Sequence, residues 1–413
     1  MRSASSTPRI LYICEECALG TSSGSQVRCF NIIRALQQIG RVEALLVRDP
    51  NGHAEHFSKP SRGVDISDVL ETQPRPNVGL TAKLKWTFDP AASYPRGYGI
   101  CDKAFERLVH NLNEFDLIWF FKQRCAALFP HLVWRRSVLD IDDVLSGYER
   151  TALGARSRPL ERLLTLRKMV SWQRRERLLG TKFTVLSVCS AEDEQYLRRL
   201  GVRAPIHVIP NGFEAPCSEP VRCPVTPPRI GFIGLLDYFP NRDAIHWFVS
   251  QCWPRIKCEL PEVRLRMVGA GTNGPLGPTG VDIDGLGWIP DPSSEIQTWS
   301  AMVVPIRVGG GTRVKIAHGF SQKCPIVSTS LGAHGYGVVN GRELYLADSP
   351  EAFSNACIKA VREPNQAAEM AGRAWREFLD KWTWDAVCPR VWATAEECLK
   401  SDPQSQPLVR AAL

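Results

Sequence analysis

No apolar run in the 413 residues approaches the roughly 18 to 20 that a membrane-crossing helix needs. The best candidate, Leu117 to Phe121, is ended by Lys122 and Arg124, so an integral membrane protein is not expected. The opening MRSASSTPRI passes from polar residues into a strand without the apolar core of a signal peptide. The 14 cysteines are scattered through expected strands and helices rather than spaced as a disulfide framework. Both absences point to a cytoplasmic protein with free thiols. Cys14 and Cys17 make one CxxC, but no second pair or histidine follows at zinc spacing, and no metal is expected. The loop after the first strand, EECALGTSSGS, is too poor in glycine for a GxGxxG fingerprint, which argues against a dinucleotide. Charge of one sign is also modest, at 51 Lys plus Arg against 43 Asp plus Glu. With no aromatic-interleaved basic stripe, nucleic acid is not an expected partner.

What is present is an α/β alternation long enough for two domains. RILYIC (9–14), a helix from about Val27 to Gln38 and VEALLV (42–47) form a β-loop-α-β unit. Asn51 to Gly99 carries five prolines and reads as loops or short helices. Strands resume at Phe115 to Phe121 and Ser137 to Ile141, the latter running into Asp140, Asp142 and Asp143. Ligands gather beyond the carboxyl ends of strands in such sheets. One of these acids is therefore a candidate general base for an acceptor hydroxyl, with helix capping and loop hydrogen bonds as the competing reading. Arg156 to Arg177 is dense in Arg and Lys among Leu160, Leu163, Leu164, Leu166, Val170 and Trp172. It reads first as a solvated helix face and second as a basic helix in peripheral contact with an anionic membrane. HVIPNGFE (207–214) and the Pro- and Cys-rich stretch after it mark a domain boundary. Domains are expected at 1–213 and 225–380, with 381–413 a helical tail packing back on the first. A second α/β series starts at RIGFIG (229–234) and includes VRLRMVGAG (263–271) and AMVVPI (301–306).

The most informative stretch is PIRVGGGTRVKIAHGFSQKCPIVSTSLGAHG, 305–335. Gly309, Gly310 and Gly311 remove side chains where backbone must approach a ligand, and Thr312 is the expected N-cap of the next helix. The free N–H groups of that helix start, with Arg313 and Lys315, form an expected anion site suited to phosphate. His318 lies at i+7 from Gly311 and i+3 from Lys315, on the face turned to the loop.

From VIPNGFE through FIGLLDYFPNRDAIHWF, VRLRMVGAG, GLGWIPD and VVPIRVGGGTRVKIAHGFSQKCPIVSTSLGAHGYGV, the residues resemble, in order, the retaining GT-B glycosyltransferases of group 1, or GT4. The resemblance implies two Rossmann-like domains with parallel sheets facing an interdomain cleft. It also implies transfer of a sugar from a nucleoside diphosphate sugar to an acceptor hydroxyl with retention, without a metal or other cofactor. The acceptor would be a glycan, a lipid-linked species or a small molecule. Arg313, Lys315 and His318 are then the expected catalytic group. Gly234, Gly287, Trp288 and Gly309 to Thr312 would bind the donor, and Gly24, Asp142, Asp143 and Asn211 would lie on the acceptor side. Many family members carry two glutamates where this chain has Gly310 and His318, and an Arg and a Lys where it has Leu235 and Pro240. A non-catalytic nucleotide- or glycan-binding protein, or a sugar-nucleotide epimerase, are the alternatives these departures leave open.

Overall fold

The computed structural model describes residues 7–15, 24–48, 64–74, 79–90, 92, 98–100, 108, 112–129, 133–156 and 158–401. The chain forms two compact units, Met1–Pro210 with Cys388–Leu413, and Asn211–Val387. Among the described residues no helix is long and apolar enough to cross a membrane.

In the first unit the strands are β1 (Arg9–Glu15), β2 (Arg41–Arg48), β3 (Asp65–Pro74), β4 (Tyr98–Ile100), β5 (Leu117–Phe121), β6 (Ser137–Asp140), β7 (Val185–Val188) and β8 (Ile206–Val208). They lie in the order β4-β3-β2-β1-β5-β6-β7-β8. All neighbours are parallel except β3 and β4, so the α/β expectation holds with one antiparallel edge strand. Central strands buried on both faces should be continuously apolar. LIWFF of β5 is, with every residue buried. Helices α1 (Gly24–Gln37), α2 (Leu80–Phe88), α3 (Leu145–Ala155), α4 (Pro159–Glu176) and α5 (Ala191–Arg199) complete the layers. Ser190 caps α5 by accepting the Asp193 N–H at 3.0 Å, as its sequence position suggests.

Two sequence expectations need correction here. Helix α1 begins at Gly24, three residues before Val27. The stretch 51–99, read as loops and short helices, contains the short helix α2 but also the strand β3 among its described residues. DISDVLETQP escaped notice because Asp65, Ile66 and Ser67 are exposed in succession, which tolerates polar residues and leaves no regular alternation to mark a strand. The expected helix between 156 and 177 is α4, and Cys17 lies outside the described residues.

The second unit holds β9 (Arg229–Ile233), β10 (Arg264–Val268), β11 (Ile283–Gly285), β12 (Ala301–Val304), β13 (Ile326–Ser328) and β14 (Tyr345–Leu346), in the order β11-β10-β9-β12-β13-β14, all parallel. Its helices are α6 (Phe239–Trp247), α7 (Val314–Ser321), α8 (Pro350–Arg362) and α9 (Pro364–Lys381). Side chains alternate between the two faces of a strand. Accordingly Ala301 and Val303 of β12 join the core containing Phe248 and Phe353, while Met302 and Val304 join the core containing Ile316 and Phe320. Gly231 is required in β9, because a Cβ there would stand 1.8 Å from the Trp299 ring. The last helix, α10 (Trp384–Lys400), starts in the second unit and is counted with the first from Cys388. In the first unit its Trp392 Nε1 donates to Ala35 O at 2.8 Å.

Candidate active site

Because the second sheet is parallel, β9, β10, β11 and β12 all deliver their carboxyl ends to one edge, where glycines accumulate. Gly234 follows β9, Gly269 follows β10, Gly287 follows β11 by one intervening residue, and the run 309–311 lies beyond β12. The backbones there approach too closely for side chains. A Cβ on Gly269 would lie 2.2 Å from Gly234 O, and one on Gly234 would lie 2.8 Å from the Asn241 side chain. Gly269 donates to Gly287 O at 2.8 Å, and Gly287 donates to Thr272 Oγ1 at 2.9 Å. Gly269, Gly287, Gly309 and Gly311 have φ of +134°, +72°, +141° and +65°, values that disfavour an L side chain. Trp288, beside this edge, is 60% exposed.

Arg313 folds back over the loop it follows. Its Nη1 donates to Gly310 O and to Gly311 O, the latter at 3.2 Å, while its own carbonyl accepts the Tyr336 hydroxyl at 2.8 Å. Nη2 is enclosed and has no hydrogen-bond partner among the described residues, a guanidinium donor left for something else. Lys315 Nζ donates to Asn241 Oδ1 at 2.8 Å and stands 4.7 Å from the Phe232 ring centroid. Asn241 Nδ2 in turn donates to Leu235 O at 3.0 Å. Just before the glycine run, Arg307 pairs with Asp243 at 2.8 and 3.1 Å. Two ties therefore fasten the glycine loop to α6, and Asn241 and Asp243 supply them. Burial, assisted by the Arg313 charge, pulls the Lys315 ammonium down to about 7.

Thr312 does not cap α7. The cap position is Arg313, with no side-chain cap bond, and the Thr312 hydroxyl accepts the Asn211 N–H at 3.2 Å. Asn211 Nδ2 donates to Thr312 O at 3.3 Å, so Asn211, expected on the acceptor side, is placed against the glycine loop. His318 is half-buried, its ring stacked on Phe213 at 4.5 Å with 23° between planes. Desolvation takes its pKa down to about 4, against a small opposing pull from Asp291, and the imidazole is neutral near pH 7.

In the first unit, buried Arg28 of α1 makes two bonds to buried Asp140, at 2.7 and 3.0 Å, and a third to Ile209 O at 2.8 Å. Ser187 Oγ also donates to Asp140, at 2.9 Å. Asp142, in the left-handed region at φ +60°, accepts Ser25 Oγ at 2.9 Å and Cys189 Sγ at 3.6 Å. Gly24 is the first residue of α1, next to Ser25, so Gly24 and Asp142 meet at one sheet edge. Asp143 follows them there, half-buried.

Residues 227–363 match the family model for glycosyl transferases group 1. The second unit carries a group 1 glycosyltransferase domain. Across nearly its whole length this transferase is similar to solved GT-B structures. Sucrose-phosphate synthase from Thermosynechococcus elongatus superposes with a TM-score of 0.68 at 14% identity, covering 94% of this chain and 98% of that one. HepE of Anabaena, in complex with UDP-glucose, gives 0.62 at 15% identity, over 94% of this chain and 100% of that one. The pneumococcal O-GlcNAc transferase GtfA, in complex with UDP and GlcNAc, gives 0.63 at 10% identity, over 96% and 100%. An uncharacterized 44.6 kDa protein in the cps region of Klebsiella pneumoniae is 21% identical over 269 residues, 61% of this chain and 68% of that protein.

Sequence reasoning about the transferase overlooked Asn241, Phe213 and Tyr336. Asn241 had a local signal, since it follows Pro240 at the start of α6. Phe213 and Tyr336 lie about a hundred and about twenty residues from the groups they touch, and no spacing pattern links them.

Proposed function

We propose that this transferase moves a sugar from a UDP-sugar to an acceptor hydroxyl with retention at the anomeric carbon, in the assembly of a surface polysaccharide. The observation that carries the reading is the unanswered Nη2 of Arg313, held over the Gly309 to Gly311 backbone at the carboxyl edge of the second sheet. As the glycosidic bond breaks, negative charge grows on the departing diphosphate, and donors already in place stabilise it without reorganisation. Arg313, Lys315 and the N–H groups at the start of α7 are those donors. The neutral His318 accepts a hydrogen bond from a hydroxyl of the donor, and Trp288 with Gly287 borders the base. Uridine is favoured because HepE and GtfA were solved with UDP ligands. The polysaccharide setting rests on the relative in a cps region. Gly24, Asp142 and Asp143 are the proposed acceptor-side group.

A second reading is binding without turnover, favoured by Gly310 and His318 standing where related enzymes carry glutamates. A thermal-shift scan against UDP, GDP, ADP, CMP and their sugar conjugates tests the donor assignment. A UDP ligand at ~100 times its Kd adds about 2.7 kcal/mol, and UDP should stand apart from the others. Arg313→Ala should remove that shift and lower transfer by roughly a hundredfold or more, with the fold intact by circular dichroism. Transfer at near wild-type rate in that variant would defeat the diphosphate assignment. A UDP shift with no product from any donor would establish the second reading.

A further inference from the structure

Helix α4 is turned inside out. At ~100° per residue, Thr165 and Trp172 share the side that packs inward, and both are buried, together with Ser171 and Glu176. The leucines face away. Leu160, Leu163, Leu164 and Leu166 are 68%, 62%, 44% and 41% exposed. A helix held only by the protein core should show the reverse pattern, with leucine inward and polar residues in water.

The exposed apolar side continues past α4. Leu160, Leu163, Arg167, Val170 and Arg174 follow at steps of three and four residues, which places them along one side of the helix. At its far end the Arg174 guanidinium donates to Thr87 O at 3.1 Å and stands 5.7 Å from the Phe88 ring centroid. Phe88 is 67% exposed, and Leu84 and Leu80 of α2 lie one and two turns behind it at 42% and 70%. Helix α2 repeats the inversion, with Trp86 turned inward to an edge-to-face contact with Trp172 at 5.4 Å. Two helices locked together by buried tryptophans thus both present leucine or phenylalanine to the outside.

Charge says what covers this face. Between positions 156 and 177 there are eight arginines and lysines against two glutamates, and Glu176 is buried. A second copy of the same face would bring like charge to like charge. A nucleic acid would answer the arginines but offer nothing to four leucines. A bilayer with anionic headgroups answers both, because leucine and phenylalanine enter the headgroup and acyl boundary while arginine and lysine stay at the phosphates. We propose that the outer faces of α4 and α2 dock this protein on an anionic membrane surface, lying in the interface without crossing it.

Flotation of the full chain with lipid vesicles tests this, without donor present, so that the outcome is independent of the UDP assignment. The protein should float with phosphatidylcholine vesicles containing phosphatidylglycerol and not with pure phosphatidylcholine. Leu160→Ser, Leu163→Ser and Leu164→Ser combined should weaken binding by roughly tenfold or more. Arg162→Glu with Lys168→Glu should do the same and shift the salt dependence. All these side chains are exposed, and an unchanged circular dichroism spectrum and melting temperature confirm that each variant is folded. Failure of the wild type to float with anionic vesicles would overturn the proposal. So would flotation unaffected by both variants, or a leucine-dependent dimer in light scattering without flotation.

Discussion

At the scale of single residues, the decisive groups are two cations with different fates. Arg313 is oriented by the carbonyls of the loop it serves, whereas Lys315 is enclosed against Phe232 and Asn241 and brought to about 7. The sign of the consequence is fixed by that lowering. In the free protein the unfolded chain holds the lysine proton up to about 10.5, so between about 7 and 10.5 this group favours folding more as pH rises. Diphosphate binding runs the other way, since it needs the charged form. Affinity for UDP should be flat below about pH 7 and fall by up to about tenfold per pH unit above it, as measured by calorimetry from acid to alkaline pH. Lys315→Met should bind UDP weakly at every pH, without the slope; a wild type equally tight on both sides of neutrality would contradict this role. That Arg313 and Lys315 stand beside the glycine run was legible from the sequence. The role of Thr312 was not, because a hydroxyl ready to cap a helix was instead taken by Asn211, a hundred residues earlier in the chain.

At the scale of elements, the glycines define how closely three strand ends converge. Gly269→Ala would force a methyl to 2.2 Å from Gly234 O at a φ of +134°. This substitution should cost about 2 to 4 kcal/mol in chemical denaturation and weaken UDP binding as the Gly234 turn is displaced; a loss below ~1 kcal/mol would show that the turn yields freely. In the second unit the strands β9, β10, β12 and β13 were readable from the apolar residues of RIGFI, RLRMV, AMVV and IVS, but β11 and β14, three and two residues long, were not. In the first unit β3 was hidden, because Asp65, Ile66 and Ser67 are exposed in succession and break the alternation of a half-buried strand, whereas α2 falls among the short helices expected there.

At the scale of the whole molecule, each unit has its own interior, and Arg28, fully buried, fastens the first. Arg28 links α1 to β6 through Asp140 and to the end of β8 through Ile209 O. Arg28→Met leaves buried Asp140 without its counter-charge and should cost about 3 to 5 kcal/mol. Amide exchange should report that loss in the first unit, with β9, β10 and β12 retaining their protection; uniform loss throughout would mean the units unfold as one. A last consequence follows from Trp392 and its bond to Ala35. The unit that leaves the ribosome first is also the one that must wait for the final helix. At roughly 5 to 20 residues per second, synthesis of the contiguous second unit occupies on the order of ten to thirty-five seconds. The second unit can therefore be complete while the nascent first unit still lacks the segment that closes it, the period in which a cell's chaperones have most reason to hold it.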